Sequence, residues 1–111
     1  MKVQYIVTVL VLTVSSLKAQ TIYSVDQGYK ADIMVFVVDQ EYKADLLVFK
    51  VDAAYKAKGN EGKWHFTDAD YKAKKKIYFV DSDYKADLKI YFVDGSYKSR
   101  WKDKSKQHLM Y

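Results

Sequence analysis

The chain has 111 residues, a formal net charge of +5, no cysteine and no proline. Hydrophobic residues make up 50% of it and 11 residues are tyrosine, a composition too apolar and aromatic for an intrinsically disordered chain. The absence of cysteine excludes disulfide scaffolds and thiolate metal sites, and the length is that of a single domain.

The first 19 residues have the features of a signal peptide. Lys2 precedes an uncharged, mostly apolar run at residues 3–14, and Ala19 supplies a small residue at the predicted cleavage site. The run is shorter than the about 20 apolar residues of a membrane-spanning helix, so we predict no transmembrane anchor after cleavage. The expected localisation is secreted or periplasmic.

Residues 20–100 form a tandem repeat, which predicts a single β-repeat domain. The motif Val-Asp-x-x-Tyr-Lys-Ala-Asp starts at Val25 and recurs with varying fidelity, its tyrosine returning every 13 residues except for one step of 16. A glycine-containing insertion at residues 59–62 separates two pseudo-equivalent halves, 22–58 and 63–100. The repeated tyrosines are Tyr29, Tyr42, Tyr55, Tyr71, Tyr84 and Tyr97.

Each unit has the pattern of a β-strand followed by a turn. Counting in twos along the unit that begins at Tyr84 gives one apolar face and one mostly charged face. The apolar face carries Tyr84, Ala86, Leu88, Ile90 and Phe92. The aspartate that follows each strand is a residue typical of turns. The sequence therefore predicts an all-β fold.

The leading architecture is a six-stranded antiparallel meander built from the 13-residue repeats. In this register Phe79 faces Ala86 and Ile77 faces Leu88, which pairs side chains of compatible size. The central turn residues, such as Ala53-Ala54, are not those that tight hairpins favour. A short β-solenoid or blade-like repeat is therefore the alternative.

The last segment, residues 101–111, is predicted to be a basic C-terminal tail. Lys102, Lys104 and Lys106 contribute three positive charges, against one carboxylate at Asp103. Chain ends of this composition are usually solvated, and we expect the same here.

No catalytic or metal-binding pattern is present, so the sequence predicts neither an enzyme nor a cofactor. His65 and His108 lie far apart in the sequence with no cysteine available to complete a metal site. No serine is distinguished by a neighbouring base. The repeated aspartates fall at turn positions that already explain them.

A binding role is indicated by aromatic residues that alternate with lysines on the mixed face of the strands. Such rows can stack on sugar rings while the lysines attract anionic groups. An ordinary amphipathic strand surface, which a second copy of the sheet could cover, would have the same pattern and is the alternative. The expected function is an exported, non-enzymatic binding or structural module of the cell envelope or extracellular space, and the candidate partners are an envelope glycan and an exported protein. The alternative is a protein-interaction module, such as an inhibitor or antagonist of another exported protein. Nucleic acid is not an expected partner, and homo-oligomerisation stays open. The candidate ligand-binding residues are Phe36, Phe49, Tyr78, Tyr91, Lys72 and Lys85.

The tandem motif, from Ile22 to Arg100, resembles a family of small exported bacterial proteins built from such repeats. The resemblance implies export and a repeat fold. It implies no activity, and no catalytic residues follow from it. The copy at Thr67 and the serine at Ser99 depart from the pattern.

Overall fold

The computed structural model describes residues 19–111, so the predicted signal peptide lies outside the described residues apart from Ala19. Seven β-strands alternate with short 3-10 turns. Six strands close into a barrel and the seventh pairs with one of them. The strands are β1 (Thr21–Ser24), β2 (Ile33–Val37), β3 (Leu46–Lys50), β4 (Lys63–Phe66), β5 (Lys75–Phe79), β6 (Leu88–Phe92) and β7 (Arg100–Trp101).

All six barrel strands run parallel, in the order β4-β1-β5-β2-β6-β3, and β3 pairs again with β4 to close the barrel. The short β7 runs antiparallel to β3. The predicted antiparallel meander is therefore wrong, and a closed barrel is neither a solenoid nor a blade. Ile77 pairs with Ser24 and Ile33 rather than with Leu88.

The connections are just long enough to permit the parallel arrangement. Residues 38–45, eight in number, join β2 to β3. To enter β3 in the same direction, the chain must run back along about five residues and move two strand positions sideways, roughly 20 Å in all. Eight residues cover that distance only when they are mostly extended. Gln40 (φ −141°, ψ 136°) and Ala44 (φ −85°, ψ 149°) are extended on either side of the 3-10 turn.

Each long connection crosses a strand from the other half of the chain. The turn at 28–30, between β1 and β2, contacts β5, and the turn at 83–85, between β5 and β6, contacts β2. As a result β1, β2 and β3 pair with strands of the second half and not with one another. The two halves are interleaved, and from β1 to β6 the chain makes about one and a half circuits of the barrel.

The junction between the halves depends on glycine. The strands β3 and β4 are consecutive in the chain and also adjacent in the barrel. Just before β4, the Gly62 carbonyl accepts a hydrogen bond from the Phe49 N–H at 2.9 Å. Gly62 has a φ of +91°, and a Cβ there would collide with the carbonyl oxygen of Leu47. A residue with a side chain would therefore prevent this close approach.

The barrel interior is filled by side chains in layers. The middle layer takes one residue from each barrel strand, and all six are fully buried. The predicted apolar strand face is confirmed at Leu88 and Ile90, both fully buried, whereas Tyr84 lies outside the strand and is 81% exposed. The middle layer consists of Ile22, Val35, Val48, Trp64, Ile77 and Ile90.

The C-terminal segment closes the barrel at the amino ends of the strands. Residues Lys104–Met110 form a 3-10 helix, with Met110 fully buried and its carbonyl accepting from the Gln20 side-chain amide at 2.9 Å. The Trp101 indole N–H donates to the Asn60 carbonyl at 2.8 Å. The expectation of a solvated tail was wrong for Trp101 and Met110, because both belong to the core.

The 3-10 elements of residues 19–111 are short, and none has the length and apolar character that a membrane crossing requires.

Candidate functional site

The first aspartate of the repeat forms an ion pair across the turn in five of the six copies. In five connections its Oδ1 lies 2.8–3.4 Å from the ammonium of the lysine four residues on. The hydrogen bond from Lys98, reinforced by its charge, lowers the pKa of Asp94, and the same contact raises the pKa of Lys98. The charges of these turns therefore largely compensate one another.

The second aspartate of the repeat holds the connection onto the strand beneath it. Asp45 is an example: its N–H donates to the Lys89 carbonyl at 2.8 Å, and its Oδ2 accepts from the Lys89 N–H at 2.9 Å. Asp32 and Asp87 make the same pair of bonds to Lys76 and Met34. These carboxylates are structural, because each satisfies a backbone donor at the start of a barrel strand.

The tyrosine of the repeat is exposed in every copy. Tyr84 is 81% exposed and Tyr97 85%, and the lowest value among the six, at Tyr42, is 68%. Each lies within a 3-10 turn in which no residue is buried. We call these elements the six Tyr–Lys turns: Gly28–Lys30, Glu41–Lys43, Ala54–Lys56, Asp70–Lys72, Asp83–Lys85 and Ser96–Lys98.

The lysine of each turn lies beside the ring of the tyrosine that precedes it. The six distances from Nζ to the ring centroid are 5.8–6.0 Å. Such a contact is weak at an exposed site, so it orients the lysine more than it stabilises the fold. The result is a repeated unit that combines an open aromatic ring with a cation and a carboxylate.

Grooves separate neighbouring turns on the outside of the barrel. One groove, of about 650 Å³, lies between the turns at 41–43 and 83–85, and its lining includes the strand residues Phe36 and Lys89. Tyr84, Lys43 and Asp39 line its sides. Two similar grooves of about 460 and 520 Å³ lie beside the turn at 70–72.

The structure does not bring the six predicted binding residues into one row. Phe36 and Tyr91 are half-buried against a small outer cluster formed by Val38, Ala44 and Leu47. Connections cover much of this outer strand surface, which the sequence alone presented as open.

The remaining predicted residues are dispersed. Tyr78 lies close to the backbone at Gly28, and Phe49 is half-buried. Lys72 and Lys85 belong to two of the six Tyr–Lys turns, beside Tyr71 and Tyr84. Lys72 also lines the groove of about 520 Å³.

Sequence reasoning missed the repeated tyrosines as candidate binding residues. Counting in twos assigned Tyr84 to a buried strand face, although it follows the turn-forming Asp81 by three residues. Two signals in the sequence were available. A residue three positions after a turn aspartate can still belong to the turn, and the lysine that follows the tyrosine is present in all six copies.

The histidines are placed apart. The His65 Nδ1 lies 3.3 Å from the Val51 carbonyl, and the His108 Nδ1 lies 3.1 Å from the Ser105 carbonyl. Among residues 19–111 no three His, Cys, Asp or Glu side chains gather in a metal-binding group.

These features define a class of protein, a closed parallel barrel of tandem repeats with two interleaved halves and exposed aromatic turns. A comparison with models of protein families matches residues 19–102 to the 7(1) septoil knot domain. The chain belongs to this family. The family's description names a knot, and a chain that winds around one barrel with its two halves interleaved fits such a path. Searches of curated proteins and of solved structures find no match.

Proposed function

We propose that this chain is an exported, non-enzymatic binding module whose six Tyr–Lys turns bind an extended glycan of the cell envelope or extracellular space. The observation that carries the proposal is the open ring of the repeated tyrosine, 68–85% exposed in all six copies. An exposed aromatic ring offers a flat apolar platform to a sugar ring. The neighbouring lysine and aspartate offer a donor and an acceptor to its hydroxyl groups.

Comparison of the six copies within the chain supports a role for the tyrosine outside folding. The two positions before it vary freely, from Gln-Gly to Ser-Asp and Gly-Ser, whereas the tyrosine is present every time. Burial does not account for its retention, since so exposed a side chain contributes little to the core.

Charge compensation favours a glycan over a nucleic acid. In five of the turns the lysine is paired with its aspartate at 2.8–3.4 Å, so little net positive charge faces outward there. Binding to a polyanion depends on uncompensated cations and falls steeply with salt. Binding through aromatic stacking is expected to tolerate salt.

The distribution of the turns favours a polymer over a single globular partner. The turns lie over strands all around the barrel, so one partner covering about 800 Å² of one side would leave most of the tyrosines unused. A repetitive ligand can engage several equivalent turns, and linked contacts raise the overall affinity without any new type of interaction.

The test is co-sedimentation of the purified protein with insoluble envelope glycan at about 0.15 M and about 1 M salt. We expect binding in both conditions, and a loss of at least tenfold in apparent affinity when Tyr29, Tyr84 and Tyr97 are all replaced by serine. The matched control is Tyr111→Ser, which removes a tyrosine that is 68% exposed but lies outside the repeats.

Two results would contradict the proposal. Binding that disappears at high salt would show that net charge, and not stacking, holds the polymer. Undiminished binding by the triple variant would show that the turns are not the contact surface.

A further inference from the structure

The barrel has an open mouth at the carboxyl ends of its six parallel strands. One side chain from each strand lines a concavity of about 370 Å³. Half of these side chains are phenylalanine, and Phe79 and Val37 are 37% and 39% exposed. The lining residues are Ser24, Val37, Lys50, Phe66, Phe79 and Phe92.

The mouth has a closed apolar floor. The next layer inward is the fully buried middle layer of the barrel. Trp64 from this layer meets Phe66 of the mouth edge to face, with ring centroids 6.0 Å apart and an interplanar angle of 68°. The concavity is therefore a cup with aromatic walls rather than a channel.

The two ends of the barrel differ in how their apolar side chains are covered. At the amino ends of the strands, Trp101 and Met110 cover the core. At the carboxyl ends, the three phenylalanine rings have no comparable cover within residues 19–111. Apolar surface left open in this way is typical of a binding site, and the carboxyl ends of parallel strands are where ligands bind in other parallel β-folds.

One charge is held over this apolar cup. The Lys50 ammonium lies 4.5 Å from the Phe92 ring centroid and 5.6 Å from that of Phe66. Within residues 19–111 no carboxylate forms an ion pair with it, in contrast to the lysines of five Tyr–Lys turns. Lys50 is also the one charged residue that lines the mouth.

We infer that the mouth binds a small amphipathic anion, an aromatic or short aliphatic carboxylate whose apolar part fills the cup. The carboxylate pairs with the Lys50 ammonium, while the rings of Phe66, Phe79 and Phe92 contact the apolar part. A cavity of about 370 Å³ is at the small end of the range for ligand sites, which suits a ligand of one or two fused rings. This site is independent of the Tyr–Lys turns.

The experiment is an NMR titration of the isotope-labelled full chain with 2-naphthoate and, separately, with the uncharged 2-naphthalenemethanol. We expect saturable shifts of the Phe79 and Phe92 ring signals with the acid. Lys50→Met should weaken 2-naphthoate about tenfold, the scale of one hydrogen bond to a charged group, and leave the alcohol unchanged. Phe79→Ser should weaken both probes, and because Phe79 is 37% exposed we expect the variant to keep the fold, which its NMR spectrum checks directly.

The matched control is Lys104→Met, which removes an exposed lysine of the C-terminal segment at the opposite end of the barrel. It should leave both affinities unchanged. No saturable shift of the mouth signals below about 10 mM of either probe would overturn the inference. So would equal binding of acid and alcohol, or mouth signals that move with protein concentration alone, which would mean that a second copy covers the mouth.

Discussion

The two aspartates of one repeat have different structural roles because their surroundings differ. Asp39 lies at the start of a connection, its side chain 80% exposed, and pairs with Lys43 at 3.4 Å. Asp45 ends the same connection with its side chain 14% exposed, and its Oδ2 accepts from the Lys89 N–H and from the Lys106 ammonium. An exposed pair contributes little to stability, whereas a largely buried acceptor that serves a backbone donor is costly to lose.

Replacing the two aspartates separately tests this difference. Asp45→Ala leaves the Lys89 N–H without its partner and should lower the free energy of unfolding by about 2 kcal/mol. Asp39→Ala is the matched control and should leave the urea midpoint nearly unchanged. Equal midpoints for the two variants would contradict the structural role assigned to Asp45.

The turn ion pairs also predict a pH dependence. The hydrogen bond and charge of Lys98 hold the pKa of Asp94 below its ordinary value of 3.8. Because the folded-state pKa is the lower one, the pair stabilises the fold above pH 3.8, and this contribution is lost as the pH falls through the folded-state pKa. An NMR titration of the carboxyl carbons should show a low midpoint for Asp94 that returns toward 3.8 in Lys98→Met.

Asp103 is the internal control for that titration. The hydroxyl and backbone N–H of Ser105 lower its pKa, without a contribution from Lys98. Its midpoint should therefore be the same in Lys98→Met. A shift of both midpoints would indicate a general change of the fold rather than loss of one ion pair.

At the scale of the element, each repeat consists of a strand that fills the barrel and a connection that wraps it. The alternation of Leu88 and Ile90 predicted the inward face, because a strand exposes every second residue to the same side. The same alternation says nothing about the direction of the neighbouring strand. The eight residues of a connection such as 38–45 exceed what a tight hairpin uses and suffice for a return to the start of a parallel strand, but they do not exclude antiparallel pairing.

The C-terminal segment covers the barrel at the amino ends of the strands, and a substitution at Met110 tests this role. Met110→Ala should lower the free energy of unfolding by about 3 kcal/mol, because it opens a cavity in a fully buried position. Tyr111→Ala alters the adjacent residue, which is 68% exposed, and should change stability by less than about 0.5 kcal/mol. Thermal or urea unfolding measures both. A stable Met110→Ala variant would show that the segment is not part of the core.

At the scale of the whole molecule, the two halves cannot form a sheet separately. The parallel partners of β1, β2 and β3 are β4, β5 and β6. Either half by itself would therefore consist of strands that lack their parallel partners. Unpaired strands leave backbone donors and acceptors unsatisfied once they are removed from water. Interleaving therefore makes folding a property of the full repeat array.

Separate expression of residues 19–58 and 59–111 tests this dependence. Neither fragment should show the circular dichroism of a β-sheet or a cooperative thermal transition, whereas the full chain should show both. Since neither fragment contains a complete set of neighbours, a β-rich signal should appear only when the two are mixed. A cooperative transition in either fragment alone would contradict the interleaved topology.

The sequence by itself determined the repeat, the approximate strands and turns, and the apolar face that fills the interior, because these depend on residue spacing within one unit. It did not determine the direction of pairing, since period-two alternation suits parallel and antiparallel strands equally. It also did not determine which strands become neighbours, because the partners of β1, β2 and β3 come from the distant second half of the chain. For the candidate sites, too, the exposure and the clustering of the residues depended on the tertiary structure. Phe36 and Tyr91 looked open in sequence, and the connections half-bury them. Lys50, Phe66 and Phe92 come from separate strands and meet in one mouth because closure of the barrel brings the carboxyl ends of all six strands together.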